Sequence, residues 1–300
     1  MPTKSNSSSG QLTLPSPAKV NLMLSVHGKR GDGFHALTSL VVALEFGDTL
    51  TIRPSDSADV LRCSDAAVPL GPENLVLKAA AAFRARLERE VFFEFDLDKR
   101  IPMGAGLGGG SGNAAVALRG MNELLGEPFT NEILCEIAAE LGSDCPFFIE
   151  GVPAWMRGRG EVIEPLAAGL AERLRGTRLV LFRPDFGVET AWAYGRLVAG
   201  APQTYETEAA GVARLERFVE NGDLGDVLYN SFEAPVGSKY LAISTLLANL
   251  REQGVACLMS GSGSCCFALL EKEGVSAEEI GRFVRDAWGE GVFWVETSIC

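Results

Sequence analysis

The sequence predicts an α+β fold in two lobes, and three observations carry that reading. The chain has 300 residues, which at roughly 100–200 residues per domain makes about two compact bodies. Apolar residues recur with period two in some segments and with helical period in others, so strands and helices are both present. The two kinds of segment do not follow one another as regular βα units, which argues against a doubly wound parallel sheet.

In chain order, residues 1–10 are polar and low in complexity, and are expected to form a disordered tail. Residues 11–63 are β-rich, with apolar alternation in QLTLPSPAKVNLMLSV and again in DTLTIRP. Residues 74–89 read as a helix. Asn74 is its candidate N-cap, and Gly71-Pro72 break the chain before it. VFFEFDL at 91–97 alternates as a strand. A glycine-rich stretch at 104–112 joins that strand to a helix over 113–126 that Gly126 ends, and a further helix spans 130–141. RLVLFRP at 178–184 reads as a buried strand, and residues 209–221 and 238–253 as helices. VACLMS and CCFALLE read as strands interrupted by Ser260 to Ser264. Residues 276–288 form a final helix and VFWVET a final strand. A charged stretch between Gly169 and Gly176 marks the boundary between lobes, so residues 11–172 form the first and 173–300 the second.

Composition narrows the function. The chain carries 27 Lys and Arg against 39 Asp and Glu, a net charge of −12. A broad nucleic-acid-binding face is therefore not expected, because phosphate contacts along a duplex need clustered cations. No apolar run approaches the ~18 residues that cross a bilayer. Seven cysteines, an odd number without a CxxC pair, point to reduced thiols in a cytoplasmic setting. With only His27 and His35 and no paired thiolates, no structural zinc is expected.

The strongest local feature runs Pro102, Met103, Gly104, Ala105, Gly106, Leu107, Gly108, Gly109, Gly110, Ser111, Gly112, Asn113. Glycines let a backbone adopt positive φ and approach a ligand closely. The helix that follows offers unpaired N–H groups and a partial positive charge at its start. Together these form a phosphate cradle. The dinucleotide pattern matches Gly104-x-Gly106-x-x-Gly109 literally, but a second helix follows where that motif needs a strand. A P-loop needs a Gly-Lys-Ser/Thr end, and Gly110-Ser111-Gly112 has no lysine. No HRD or DFG motif follows, which excludes a protein kinase.

The loop does not stand alone. Pro17-Ala18-Lys19-Val20-Asn21-Leu22 and Gly31-Asp32-Gly33-Phe34-His35 precede it. Leu141-Gly142-Ser143-Asp144-Cys145-Pro146-Phe147-Phe148 and Met259-Ser260-Gly261-Ser262-Gly263-Ser264 follow it. This set resembles the GHMP kinase superfamily, from about residue 12 to the end of the chain. The resemblance implies a two-lobed α+β fold with the active site in the cleft between lobes, ATP as phosphoryl donor, and Mg2+ to neutralise the phosphates. It favours the branch whose small-molecule acceptor is a cytidine-diphosphate-linked methylerythritol. That acceptor is phosphorylated at its 2-hydroxyl in the non-mevalonate isoprenoid pathway. Another alcohol acceptor, or a ligand sensor without turnover, are the competing readings; the presence of both Lys19 and Asp144 argues against a sensor.

The same resemblance assigns roles. Asp144 is the catalytic base, where its residue context alone is equally compatible with a turn or cap. Lys19 lies beside it and favours the ionised carboxylate; by itself it reads as a strand-edge lysine. Asn21, two residues on and on the same strand face, touches the acceptor or the reacting centre. Phe34 and His35 form a cytosine pocket, with Thr190 and Tyr194 completing it. Phe34 departs from the tyrosine common at that position, which keeps stacking and loses a hydroxyl. Residues 102–113 hold the ATP phosphates; Gly112 stands where the family often has a second serine. Lys99 supplies local positive charge or belongs to a solvated face, and Asn74 meets the adenine or caps its helix. Ser260, Gly261, Ser262 and Gly263 form a substrate-side or phosphate-side loop. No protein ligand for a metal is assigned.

Overall fold

The computed structural model describes residues 10–271 and 274–300. Apart from Gly10, the tail expected over 1–10 lies outside the described residues. The chain divides into two compact units that interleave along the sequence. Among the described residues, one contains the chain up to Ala18 with Gly47–Met103 and Gly108–Gly151, and the other contains Lys19–Phe46, Gly104–Leu107 and the chain from Val152 onward. This differs from the single boundary near 170–176 that the sequence pattern favoured. The reason lies in two long strands, β1 (Leu12–Lys29) and β2 (His35–Ser55), each of which runs from one unit into the other.

In the first unit these strands are joined by β3 (Val60–Cys63), α1 (Leu75–Leu87), β4 (Phe92–Asp98), α2 (Gly109–Leu124), α3 (Asn131–Leu141) and α4 (Cys145–Glu150). The second half of β2 pairs antiparallel with β4, from Thr49↔Asp98 to Ser55↔Phe92, and β3 pairs parallel with β4. Alternation in β4 does what the sequence implied, since Phe93, Phe95 and Leu97 are buried and the residues between them are not. Helix α1 buries Val76, Ala79, Ala80 and Phe83, the i, i+3, i+4, i+7 stripe of an amphipathic helix. Asn74 caps it by accepting from the Val76 N–H at 2.9 Å.

The second unit continues with β5 (Ala154–Arg157), β6 (Val162–Pro165), α5 (Ala168–Leu174), β7 (Arg178–Arg183), α6 (Thr190–Ala199), α7 (Glu208–Asn221), α8 (Leu224–Val227), β8 (Tyr229–Asn230), α9 (Glu233–Gly237), α10 (Leu241–Glu252), β9 (Cys257–Met259), β10 (Cys266–Leu269), α11 (Ala277–Trp288) and β11 (Phe293–Ser298). An antiparallel sheet has the order β11-β7-β10-β9. Its Val180, Phe182, Cys266 and Ala268 share a core with Ile243, Leu247, Ile280 and Val284 from α10 and α11. Helix α5 occupies the stretch read as an inter-lobe boundary. Helices α4, α6 and α9 were not expected; each is short, and Pro146, Gly195 and Pro235 weaken its helical signal. All seven cysteines are free thiols. Among the described residues no helix is long and apolar enough to cross a membrane.

Candidate active site

The glycine-rich segment divides between the units, and its second half belongs to the first. Helix α2 begins at Gly109, four residues earlier than the sequence pattern placed it, with Gly108 as a left-handed N-cap at φ 70° and no side-chain cap. The first intrahelical bond is Gly112 N–H to Gly108 O, 2.8 Å. The amides of Gly109, Gly110 and Ser111 therefore have no partner within the helix and point out of its start. Sixteen residues of α2 back them with an aligned dipole.

This early start corrects two expectations. The Gly112 amide is already spent inside the helix, and the residue is buried. A Cβ there would lie 3.1 Å from the Pro17 carbonyl and 3.3 Å from Ser16 Oγ, so close packing on β1 explains glycine at the family's serine position. Asn113 is likewise in the helix body, 2% exposed, and is not available to meet an anion at its start. Its Nδ2 donates to Ser16 Oγ at 2.8 Å and to Asp48 Oδ2 at 2.9 Å.

Asp48 is the residue that sequence reading missed. Its buried carboxylate accepts from Lys99 Nζ at 2.6 Å, from the amides of Arg100 and Ile101 at 2.7 and 2.8 Å, and from Asn113. Lys99 also donates to the Ile101 carbonyl at 2.7 Å. Lys99 is thus neither a solvated residue nor an open cation for phosphate, because a buried ion pair consumes its charge. The network ties β2, the chain before the glycines and α2 into one rigid mount. Pro102 is half-buried beside it, and Met103 is exposed. Asn74 spends both ends of its amide locally, accepting from Val76 and donating to Pro69 O at 2.8 Å, so capping accounts for it in full.

Asp144 stands at the N-cap position of α4, but its side chain makes no capping bond. The Cys-Pro-Phe-Phe run after it is buried, which anchors the helix and leaves the carboxylate at its mouth. Burial, with a contribution from the Asp144 charge, pushes the Cys145 thiol up to about 11, while a hydrogen bond with Ser111 opposes the shift. Ser111, in the first turn of α2, and Asp144 therefore flank the same thiol.

In the second unit Lys19 is 5% exposed and Asn21 6%. Lys19 Nζ donates to Asn21 Oδ1 at 2.7 Å, as two residues on one strand face should. Asn21 Nδ2 donates to Ser39 Oγ at 2.8 Å, and Ser39 to the Met23 carbonyl at 2.6 Å. The Lys19 amide donates to Leu107 O at 2.9 Å, which seats the first half of the glycine segment beside it. Ala105 and Leu107 are buried, so they offer backbone only. Gly104 is exposed. Gly106 has φ +76°, and a Cβ on it would lie 2.3 Å from the Ser260 carbonyl; no other residue fits.

The 260–264 run lies against that segment. Ser260 is fully buried and donates to the Gly106 carbonyl at 3.1 Å, so its hydroxyl holds the loop rather than facing a ligand. The position that a Cβ on Gly261 would occupy is 3.6 Å from Lys19 Nζ. Ser262 Oγ is 3.0 Å from Thr190 Oγ1 at the start of α6, and Gly263 completes the turn with its N–H on Ser260 O. Asn230 is a second residue the sequence did not reveal. Its Nδ2 donates to the carbonyls of Met259 and Gly261 at 2.7 and 2.8 Å, fixing the turn from behind.

Of the residues expected to form an aromatic pocket, His35 and Tyr194 lie together and Phe34 does not. His35 and Tyr194 rings lie 4.7 Å apart at 33°, and Tyr194 meets Phe232 edge-on. Tyr205, unforeseen, places its hydroxyl 3.2 Å from His35 Nε2. Phe34 is not in this cluster. It is 49% exposed, with the Arg159 guanidinium 4.6 Å above its ring. Burial, and then the charge of Lys29, lowers the His35 pKa below its ordinary 6.5. The ring is therefore neutral at neutral pH, with one nitrogen to donate and one to accept. Such an edge suits a polar heterocycle. Among the described residues no group of three or more His, Cys, Asp or Glu side chains could hold a metal ion.

Comparison with known proteins supplies the family. Residues 74–152 match the model of the GHMP kinases N-terminal domain, and residues 212–290 that of the GHMP kinases C-terminal domain. A protein of Synechococcus sp. (strain CC9902) named 4-diphosphocytidyl-2-C-methyl-D-erythritol kinase is 40% identical over 86% of this chain and 87% of its own length. One of the same name from Protochlamydia amoebophila is 38% identical over 86% of this chain and 84% of its own. The crystal structure of a 4-(cytidine 5'-diphospho)-2C-methyl-D-erythritol kinase superposes with a TM-score of 0.75 at 31% identity, covering 96% of this chain and 99% of that one. A homoserine kinase from Cytophaga hutchinsonii, at 20% identity and a TM-score of 0.72, shares the fold. The chain belongs to the GHMP kinases and, within them, to the family of the 4-diphosphocytidyl-2-C-methyl-D-erythritol kinases.

Proposed function

We propose that the chain transfers the γ-phosphoryl group of ATP to the 2-hydroxyl of 4-diphosphocytidyl-2-C-methyl-D-erythritol, with Asp144 as general base. The observation that carries the chemistry is the start of α2, where three amides without intrahelical partners stand over an aligned helix dipole, in the same unit as Asp144 at the start of α4. Phosphoryl transfer asks for little else than positioning and opposing charge. The amides of Gly109, Gly110 and Ser111 hold phosphate oxygens. Asp144 takes the proton as the hydroxyl oxygen bonds to the γ-phosphorus. The bond from that phosphorus to its bridging oxygen breaks, and ADP leaves. The Lys19 ammonium, oriented by Asn21, stabilises negative charge at the reacting oxygens.

Acceptor choice is assigned to the aromatic cluster. His35 reads the polar edge of cytosine and Tyr194 supplies a stacking face, while Phe34, outside the cluster and exposed, offers a further ring. Thr190 and Ser262 line the same region. Mg2+ bound to ATP would neutralise its phosphates; among the described residues no group of three or more His, Cys, Asp or Glu side chains could hold a metal ion. Seven free thiols suit a reducing compartment. The test is release of ADP with the cytidine-linked acceptor, mevalonate and homoserine offered separately. Turnover with the first alone is expected. Turnover with mevalonate or homoserine and none with the cytidine compound overturns the acceptor assignment.

A further inference from the structure

Arg183, the last residue of β7, carries a guanidinium that the fold leaves without a counter-charge. Its Nε is buried and has no hydrogen-bond partner, and among the described residues it forms no ion pair. A buried donor without an acceptor is held at a free-energy cost, and a charged one at a larger cost. An anion at this place removes that cost. Its neighbour Phe182 pairs with Cys266 and Trp294 and points into the core, so Arg183 projects from the opposite face of the strand.

That face borders the glycine segment. A Cβ on Gly187 would lie 3.8 Å from Arg183 Nη2 and 3.9 Å from the Gly104 carbonyl, with no other atom within 4 Å. The missing side chain leaves room between the guanidinium and residue 104. The segment is pinned there by Cys265 N–H on Ala105 O, 3.2 Å, and by Ser260 on Gly106. Burial raises the Cys265 thiol to about 12, and the Arg183 charge opposes that rise, as its nearness requires.

We infer that Arg183 is a phosphate-binding residue, which takes two oxygens of one phosphate through Nε and Nη2 beside Gly104. The planar fork of arginine matches a phosphate in this way, and lysine does not. The inference rests on the kinase reading above and adds a residue to it. Two sources share the chemistry: the triphosphate of the nucleotide and the diphosphate of the acceptor.

Calorimetric titration of the full chain with ATP and, separately, with CDP distinguishes them. In Arg183→Met the affinity for one ligand is expected to fall at least about tenfold, the scale of a charged hydrogen bond. Arg183→Lys should recover part of the loss by keeping the charge without the fork. A loss confined to ATP assigns the nucleotide, and a loss confined to CDP assigns the acceptor. A parent that binds both beside a folded Arg183→Met that binds both equally well overturns this inference alone. A parent that binds neither overturns the kinase reading and this inference with it. On the unaltered chain, saturating ATP or CDP should slow modification of Arg183 by phenylglyoxal, read by peptide mass. Equal rates with and without both ligands overturn the inference, whether or not the variants fold.

Discussion

Replacing Asp48 by asparagine removes one charge and almost no volume from the mount of the phosphate cradle. The carboxylate is 2% exposed, and its partner Lys99 is 6% exposed at the side chain, with 2.6 Å between charged atoms. Oδ1 accepts two amides, and Oδ2 accepts Lys99 Nζ and Asn113 Nδ2. If the asparagine keeps its oxygen on the two amides, its own NH2 faces two donors. Lys99 is then a buried cation without a counter-charge. Breaking a buried pair from one side costs about 3–5 kcal/mol. In a chain of this size that lowers Tm on the order of 10 °C. Adding Lys99→Met removes the orphaned charge, so the double variant should be more stable than Asp48→Asn alone. Thermal melts of the two single variants and the double give the coupling, and ATP titration reports whether the cradle loosens with the mount. A destabilisation of Asp48→Asn below about 0.5 kcal/mol, or strict additivity in the cycle, refutes the reasoning.

Asp144→Asn should lower kcat about 10²–10⁴-fold, the usual worth of a positioned base, with little change in ATP affinity; single-turnover kinetics at saturating substrate check it, and near-parental turnover removes Asp144 from the mechanism. Gly106→Ala sets a Cβ 2.3 Å from Ser260 O at φ +76°, whereas Gly104→Ala meets nothing within 4 Å at φ +63°. Both incur about 1–2 kcal/mol of left-handed strain, so a greater loss of Tm in Gly106→Ala measures the clash, and equal losses contradict it. For His35, burial first and then Lys29 place its pKa below 6.5 in the folded chain, so the unfolded chain binds more protons as pH drops under 6.5. The stabilisation from neutral His35 is complete above that pH and declines below it. The KM for the cytidine acceptor should be flat from pH 8 to 6.5 and rise only at lower pH, with the rise absent in His35→Asn. A rise centred above 6.5 in the parent contradicts the assignment.

Much of this protein was legible in one dimension, because the relevant physics is local. Alternation buries Phe93, Phe95 and Leu97 on one side of β4, the Asn74 cap starts α1, and the spacing of Lys19 and Asn21 puts both on one face of β1. The glycine run and its companion motifs likewise identified the family, since each is a short contiguous pattern. What the sequence could not show depends on residues far apart along the chain. Asp48 meets Lys99 and Asn113 across 51 and 65 positions, and Asn230 meets Gly261 across 31. Tyr205 reaches His35 across 170. The start of α2 moved from 113 to 109 for the same reason. Glycine is a poor helix former, so propensity argued for a loop, and only packing on β1, where Gly112 approaches Pro17, makes that turn helical. Chain-local chemistry thus chose the elements and the family. Tertiary packing decided which amides remain open, which charges are spent on the fold, and that the buried Nε of Arg183 has no hydrogen-bond partner among the described residues.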